Sequence, residues 1–479
     1  MGTLADAYTP MSHIDLELQA STFQICRPGK QNGFQDNFRN DQSRGTATPS
    51  GLAGRIAQTM TAASSSPPRT GQEPSIPSPA VVRVVRLYLV FLFLAIAASA
   101  PRMVRLGKDW GWGDWLMNYR GGFVRRGLPG EIFYWASRIM HLRDSYLIVA
   151  FGLLCYTLLF WYVLRCTRQM SWRWWTVFVL ACPAGLAFPV ISRSAYRKEV
   201  VLYVVLCLVL ARFRPVEQGR HLYVLWSIAL SLACVGMTLS HEPLVSYFPY
   251  LAAATLVCLG DLRRTLQVLA VPAVLTAATM GIVLRHIGNA EIVKRICASV
   301  GDPVTACSLA VTTLADKRAD ALADVHYYIV HYHYLRVYPV CIVLAVPPFL
   351  AAFAILRREP GARRDLAAVL ICAAISILLS IQLFRYGVDW GRWISAHVVC
   401  LTLLLLALQR KYIQTPSAGS PASAWRSRAI LCLALVYALV WNVPTNRNEP
   451  MNGYLGLVKK AMHSNQYVKG GVNLVLPHI

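Results

Sequence analysis

Apolar runs of about 13 to 20 residues follow one another from residue 84 to residue 442, and they restrict the fold more than any other feature. A helix of about 20 residues crosses a hydrocarbon core roughly 30 Å thick, and partial spans are shorter. The alternating segments of an outer-membrane barrel are missing from the sequence. The sequence therefore predicts an all-α, polytopic transmembrane helical bundle of about 11 spans. The predicted spans are 84–101, 146–165, 174–191, 199–211, 223–239, 244–259, 266–284, 337–355, 366–383, 394–408 and 429–442.

Composition supports a membrane protein over a soluble one. Of the 479 residues, 56% are apolar and only 15% are charged, which is untypical of a soluble domain of this size. The formal net charge is +24, but Lys and Arg lie mostly in short links between predicted spans. Because no recognition motif accompanies this charge, it predicts topology and contact with membrane lipid, and no nucleic-acid partner.

Three parts are predicted along the chain. Residues 1–80 are rich in Ser, Pro, Thr, Gly and Gln, so they cannot bury enough apolar surface to order themselves, and a disordered cytoplasmic tail is expected. Residues 81–442 form the transmembrane domain, with periplasmic loops at 102–145 and 285–336. Residues 443–479 form a periplasmic C-terminal tail.

The distribution of arginines predicts the orientation. With the N-terminus in the cytoplasm, most links on the inner side are strongly basic, as the positive-inside rule requires, and the protein is a multi-pass protein of the bacterial inner membrane. The first periplasmic loop also holds eight basic residues between Arg102 and Arg143, which the rule does not explain. The basic residues of the inner links are Arg165, Arg168, Arg173, Arg212, Arg214, Arg220, Arg263, Arg264, Arg357, Arg358, Arg363, Arg364, Arg410, Lys411, Arg426 and Arg428.

The cysteines fit the same topology. Eleven of the thirteen lie within spans, near their cytoplasmic ends, or in the N-terminal tail. Only Cys297 and Cys307 fall outside, on either side of a Gly-Asp-Pro turn. This short ring suits a disulfide in an oxidising periplasm, and two free thiols are the alternative.

Five polar segments come out on the periplasmic side of this topology. The cytoplasmic links are plain basic turns by comparison, so a functional site is expected to open outward. The five segments are 109–131, 192–199, 240–243, 326–336 and 384–393.

The first segment combines two acids, Asp109 and Asp114, with tryptophans and a cluster of arginines. An interfacial helix would also place tryptophans and arginines at the lipid boundary, and this is the alternative to a site. In a site, the paired arginines would grip phosphate bidentately, and glycines would let the backbone approach a ligand. The arginines are Arg120, Arg125 and Arg126, and the glycines are Gly121, Gly122 and Gly127.

Two further segments carry charge at the predicted membrane boundary. Arg193 and Arg197 are four residues apart, so they share one helical face and could hold a diphosphate. The alternative is that both side chains only extend to the membrane–water interface. His241 and Glu242 precede Pro243. A titratable pair at this depth is costly and predicts function, with a structural salt bridge as the alternative.

Segment 384–393 mixes charge and aromatic rings. Asp389 and Arg392 either pair with each other or, together with Trp390, Trp393 and Arg385, bind a sugar. The His and Tyr residues of 326–338 lack the spacing of metal ligands, so an aromatic belt is expected there and no metal site.

No P-loop, dinucleotide fingerprint, zincin motif or nucleophile elbow is present, so the substrate should arrive already activated. Ten or more spans, an acidic loop after the first span and outer clusters of arginine and acid resemble the layout of GT-C-type membrane glycosyltransferases and of bacterial polysaccharide polymerases of the O-antigen type. In the GT-C families an acid of the first outer loop is the base or a ligand, which implicates Asp109 or Asp114. No Asp-X-Asp decides between them. The resemblance to the polymerases implicates four arginines instead: Arg125, Arg126, Arg193 and Arg197.

The resulting prediction is a periplasmic-face glycosyltransferase that moves sugar from a polyprenyl-linked donor to a glycan or lipid-linked acceptor. No resident cofactor is assigned, although a divalent cation would be compatible with the acids. A repeat-unit polymerase acting on polyprenyl-diphosphate oligosaccharides and a secondary transporter or flippase are the alternatives. The candidate catalytic residues are Asp109, Asp114 and Glu242, and the candidate binding residues are Arg120, Arg125, Arg126, Arg193, Arg197, His241, Arg385, Asp389 and Arg392.

Overall fold

The computed structural model describes residues 76–106, 113–192, 194–212, 220–300, 309–413 and 424–445. The chain divides into two units, Met1–Thr70 and Gly71–Ile479, and every described residue belongs to the second. Most of the predicted tails at 1–80 and 443–479 therefore lie outside the described residues.

The described residues form helices joined by short links, with no strand among them. The first eight helices are α1 (Pro79–Ala98), α2 (Ala100–Leu106), α3 (Leu128–Met140), α4 (Asp144–Gln169), α5 (Trp174–Ala181), α6 (Phe188–Ile191), α7 (Glu199–Arg212) and α8 (Arg220–Ser240). The others are α9 (Phe248–Leu259), α10 (Leu262–Arg285), α11 (Ala290–Ser299), α12 (Leu309–Thr312), α13 (Arg318–His331), α14 (Tyr334–Leu356), α15 (Ala362–Tyr386), α16 (Trp390–Tyr412) and α17 (Ala424–Val440). Two 3-10 helices, Asp114–Leu116 and Glu242–Tyr247, precede α3 and α9.

The all-α bundle predicted from the apolar runs is confirmed. In the described part of the chain, eight helical segments are long and apolar enough to cross a membrane, and 199–211 and 427–440 are shorter apolar helices. These ten segments coincide with ten of the predicted spans. The predicted span 174–191 differs, because its helix stops at Ala181 and resumes only at Phe188. Cys182 and Pro183 lie where the helix stops, and proline cannot continue the hydrogen-bond ladder.

Helix α16 is the centre of the bundle. Nearly all of its membrane-length window is buried by other helices, on every side. By contrast, α10, α14 and α15 expose most of their apolar side chains, as helices facing lipid do.

The ends of the helices define two ends of the bundle. At one of them, Arg410 of α16 donates to the carbonyl of Leu210 at 3.2 Å, and Lys411 donates to that of Val257 at 2.7 Å. At the same end Gln409 donates to the carbonyl of Ser171 at 2.6 Å. We call this the basic end, because most of the arginine-rich links lie here. The opposite end, at the starts of α7 and α16 and the end of α8, is called the polar end.

The bundle has a hollow towards its polar end, because helix α5 ends inside the bundle and helix α7 begins inside it. Helix α5 leaves the basic end and stops after 8 residues, or about 12 Å. Helix α7 has 14 residues, about 21 Å, and ends at the basic end, so its first residue, Glu199, lies about 9 Å short of the span of a 30 Å core. Irregular backbone at this depth survives only when it is buried in protein or lines a cavity. The described residues between 182 and 198 have this position.

A second, smaller core forms outside the bundle at the polar end, and we call it the cap. Gly121 packs so closely on α11 that a Cβ atom there would lie 2.8 Å from the Ile292 carbonyl oxygen, and one at Gly127 would strike the ring of Tyr119. These glycines serve packing within the chain, which differs from the approach to a ligand expected from sequence. Cys297 of the cap is disulfide-bonded, and Cys307 lies outside the described residues. The apolar residues of the cap are Met117, Val124, Val293, Ile296, Ala310, Val311 and Leu314.

Candidate functional site

The hollow at the polar end contains a cluster of charged side chains contributed by four of the five polar segments. We call it the charged cluster, and its members are largely buried. They are Asp114, Arg125, Arg126, Lys198, Glu199, His241, Glu242, Asp389 and Arg392.

Arg126 and Glu242 form the strongest pair of the cluster. The Nε atom of Arg126 donates to Oε2 of Glu242 at 2.8 Å and its Nη2 atom donates to Oε1 at 2.7 Å, which is bidentate geometry. Arg125 adds a contact to Oε1 at 3.3 Å and donates to the Thr313 carbonyl of the cap. The backbone of Arg126 has a φ of 65°, a left-handed conformation that costs a non-glycine residue roughly 1–2 kcal/mol. The Glu242 pair offsets this strain.

Lys198 holds one side of the Asp114 carboxylate. The Nζ atom lies 3.3 Å from Oδ2 of Asp114 and donates to the Ser240 carbonyl at 2.8 Å, although its side chain is only 1% exposed. The same ammonium lies over the ring of Trp115, 5.7 Å from the ring centroid, in a cation–π contact. The Nε1 atom of Trp115 donates to the Tyr196 carbonyl at 2.6 Å. The 3-10 turn after Gly113 is thereby fixed against the irregular segment that carries Lys198.

Arg392 organises the other half of the cluster. It lies 2.9 Å from Oε1 of Glu199 and 2.8 Å from Oδ2 of Asp389, the latter within one helical turn. His241 lies between the two halves. Its Nε2 atom is 3.7 Å from Oε1 of Glu199 and its Nδ1 atom is 3.9 Å from Oδ2 of Asp114. Trp393 stacks on the imidazole, with ring centroids 6.0 Å apart.

Four buried polar atoms of the cluster have no hydrogen-bond partner among the described residues. They are Oδ1 of Asp114, Nε of Arg125, Oε2 of Glu199 and Nδ1 of His241. Burying such groups without partners costs about 1–3 kcal/mol each, so they are rare in proteins and are often completed by a ligand. A water molecule or ligand that completed these atoms would have to supply both hydrogen-bond donors and acceptors.

A cavity of about 30 Å³ opens beside the cluster, between α4, the 182–188 break, α7 and α16. This volume holds about two water molecules. Ser194, Arg197, Glu199, Arg392 and Ser395 line its polar side. Its other walls are apolar and aromatic, and they are formed by Tyr156, Leu159, Phe160, Leu186, Phe188, Pro189, Val200, Tyr203 and Val399 together with Gly185.

The electrostatics of the cluster fix its protonation. Burial raises the pKa of the Asp114 carboxyl, but Lys198 and Arg126 outweigh burial, so the net pKa lies below the ordinary value. Burial lowers the pKa of the Arg126 guanidinium, and Glu242 more than reverses this. Burial, followed by the Arg126 cation, holds the pKa of His241 well below its ordinary range. At neutral pH the cluster therefore contains an ionised Asp114 and a neutral His241.

Not every candidate from the sequence joins the cluster. Arg120 pairs with Glu131 and lies over Tyr134, away from the cluster. Arg385 is exposed and stacks on its neighbour Tyr386. Arg197 borders the cavity and is close enough to lower the pKa of Asp114. Asp109 and Arg193 lie outside the described residues. The fifth polar segment, 326–336, supplies no member of the charged cluster. Its Tyr334 hydroxyl donates a hydrogen bond to the Val388 carbonyl at 3.0 Å.

Lys198 and Glu199 are central to the cluster, but neither is among the candidate residues predicted from the sequence. A usable signal was present, because Glu199 directly precedes one of the most apolar stretches of the chain. A charge at the start of a helix too short to span lies inside the membrane and needs partners. No group of three or more His, Cys, Asp or Glu side chains suited to a metal ion occurs within the described ranges.

The fold and this cluster define a polytopic α-helical membrane protein with a buried, charge-compensated polar site at one end of its bundle. The chain belongs to the family described as "Uncharacterised membrane protein Rv1490", whose model matches residues 84–341, more than half of the sequence. That match includes Asp114, Lys198, His241 and Glu242 and ends before Arg392. No curated protein and no solved structure matches the chain.

Proposed function

We propose that this protein is a membrane glycosyltransferase that uses a polyprenyl-linked sugar at the periplasmic face to build a cell-surface glycan. Asp114 is the base that removes the proton from the acceptor hydroxyl. The hydroxyl oxygen then bonds to the anomeric carbon, and the bond from that carbon to the phosphate oxygen breaks, with the electron pair leaving on the phosphate. The proton ends on Asp114.

The observation that carries this proposal is the state of the Asp114 carboxylate. Lys198 holds Oδ2, whereas Oδ1 is buried and accepts no hydrogen bond from the described residues. An ionised carboxylate with one fixed and one open oxygen is arranged to accept a proton from a hydroxyl placed beside it. Asp109, the other candidate base, lies outside the described residues.

The charge balance of the site supports transfer over polymerisation. Asp114, Glu199, Glu242 and Asp389 provide four negative charges. The cations facing them number five: Arg125, Arg126, Lys198, Arg392 and the cavity residue Arg197. A site that grips a diphosphate through arginines alone would leave them uncompensated. Here Arg125, Arg126, Lys198 and Arg392 each contact a carboxylate, and the arginines stabilise a phosphate only as it departs.

Removing Lys198 should change the pH dependence of transfer. Because the Lys198 cation lowers the pKa of Asp114, Lys198→Met raises that pKa, and a larger fraction of Asp114 becomes protonated as the pH falls. The acid limb of the rate profile is therefore expected to move to higher pH. Transfer measured in membrane vesicles between pH 4 and pH 8 checks this. Lys294→Met, at an exposed cap position, is the matched control, and identical profiles for both variants would contradict the role of Lys198.

The orientation can be tested with single cysteines at the two ends of the bundle. Positive charge favours the cytoplasm, so we expect Arg358→Cys at the basic end to react with a membrane-impermeant maleimide only after the cells are permeabilised. Asp324→Cys at the polar end should react in intact cells. Both positions are exposed. The reverse pattern would place the charged cluster in the cytoplasm and remove the basis for a periplasmic substrate.

A further inference from the structure

The contact between His241 and Arg392 favours one arrangement of the ring proton. Its Nε2 atom lies 3.4 Å from Nη2 of Arg392, and a guanidinium can only donate, so Nε2 is an acceptor. The neutral imidazole therefore carries its proton on Nδ1. That N–H group is buried, the residue being 2% exposed, and it has no hydrogen-bond partner among the described residues.

The open donor of His241 faces the carboxylate that has the open acceptor. Nδ1 lies 3.9 Å from Oδ2 of Asp114, too far for a hydrogen bond, and Oδ1 of the same carboxylate also lacks a partner in the described part of the chain. Stacking on Trp393 and the contact with Arg392 fix the plane of the ring. The Asp114 carboxylate thus lies beside the unpartnered N–H group of His241 without accepting a hydrogen bond from it.

One hydroxyl group would satisfy both atoms, because a hydroxyl both accepts and donates. We infer that His241 binds the acceptor alcohol: its Nδ1–H group donates to the hydroxyl oxygen while that hydroxyl donates its proton to Oδ1 of Asp114. This inference rests on the proposed function and adds the acceptor-binding residue to it. Under the proposed glycosyl transfer the ligand is an alcohol such as a sugar or polyol, and a carboxylate is excluded because it cannot donate to Asp114.

Alternative roles for His241 fit the geometry less well. Its contacts with Asp114 and Glu199, at 3.9 and 3.7 Å, are longer than hydrogen bonds, so the ring does not tie the two carboxylates together. The other buried histidine of the bundle, His397, is fully bonded by contrast. Its Nδ1 atom is 2.9 Å from the Tyr250 hydroxyl and its Nε2 atom is 3.1 Å from Oγ of Ser380. His397 is therefore the matched structural control.

The experiment measures transfer to an added acceptor. Membrane vesicles carrying the full chain and their own lipid-linked donors are given octyl glucoside below its micellar concentration, and the glycosylated product is quantified against octyl glucoside concentration. His241→Leu is expected to raise the half-saturating concentration about tenfold, the loss of one hydrogen bond to a neutral partner, with a smaller change in maximal rate. His241→Asn places an amide N–H near the position of Nδ1 and should restore most of the affinity.

The outcomes distinguish a failure of the His241 role from a failure of the proposed glycosyl transfer. Equal half-saturating concentrations for wild type, His241→Leu and His241→Asn, while Asp114→Asn remains inactive, would overturn the role of His241 and leave the proposed function intact. The role of His241 is equally overturned if His241→Leu and His241→Asn are impaired to the same degree, or if His397→Leu raises the half-saturating concentration as much as His241→Leu does. No transfer to octyl glucoside by the wild type would overturn the proposed function and the inference with it. Full activity of Asp114→Asn would overturn the assignment of Asp114 as the base, and with it the inference, because the acceptor hydroxyl would then have no reason to lie beside His241.

Discussion

Asp114→Asn is expected to reduce glycosyl transfer by about 10²- to 10⁴-fold, the range found when a general base is removed. Asparagine keeps the size of the side chain and can still accept a hydrogen bond from Lys198. It cannot take up the hydroxyl proton. The surface glycan of a producing strain, or transfer in membrane vesicles, measures the effect, and the amount of protein in the membrane must be shown to be unchanged.

The control for this variant is Asp324→Asn, an exposed aspartate on α13 at the same end of the bundle. It should leave transfer within about twofold of wild type, since surface substitutions rarely matter. If Asp114→Asn has normal activity, the base is not Asp114. Asp109→Asn would then be the next variant to make, because the sequence alone leaves both acids as candidates.

Glu242→Gln should produce the largest loss of stability. It removes the negative charge that pairs with Arg126 in bidentate geometry, and among the described carboxylates it leaves that buried cation only the 3.9 Å contact to Asp114. Breaking a buried ion pair from one side costs about 3–5 kcal/mol. The strained backbone of Arg126 then loses the side-chain pair that offsets its strain, so the cap segment around it should loosen as well. Unfolding of the purified protein in mixed micelles by titration with sodium dodecyl sulfate gives the change in free energy.

The pair Glu291 and Arg295 on α11 provides a control in the same molecule. Their side chains are 3.0 Å apart but 61% exposed, so Glu291→Gln should cost less than about 1 kcal/mol. A double-mutant cycle with Arg126→Met and Glu242→Met is expected to show strong coupling, because removing both charges leaves neither one uncompensated. Additive losses would mean that Glu242 and Arg126 act independently.

Most of the fold could be predicted from the sequence, because a run of apolar residues has few alternatives once it is long enough to cross a membrane. The exception was 174–191, where the composition is apolar throughout but Pro183 and Gly185 stand in the middle. Apolarity predicts burial in the membrane and does not distinguish lipid from the interior of a bundle. Only packing against α16 shows that the 182–187 backbone lines a cavity.

The cluster was harder to predict. Charged residues at the boundaries of predicted spans are visible in the sequence one segment at a time. Counting the spans then predicts that these segments lie on the same face of the membrane. The pairing could not be derived, because Glu199 meets Arg392 across 193 residues of sequence and no local pattern records that contact. The role of Lys198 could not be predicted for a related reason. A lysine beside arginines resembles any other cation at a membrane boundary until its burial is known.

The long separation between Glu199 and Arg392 also bears on how the protein is made. A ribosome that adds about 5–20 residues per second needs roughly 10–40 seconds to extend the chain from one to the other. Asp114 and Lys198 are both synthesised by the time α7 emerges, and His241 follows soon after, so the base and its lysine can pair early. Glu199 must wait for α16, the central helix and one of the last to be translated. The site is therefore complete only after α16 has been translated, and in the nascent chain Glu199 lacks its Arg392 partner until the final third of the sequence is made.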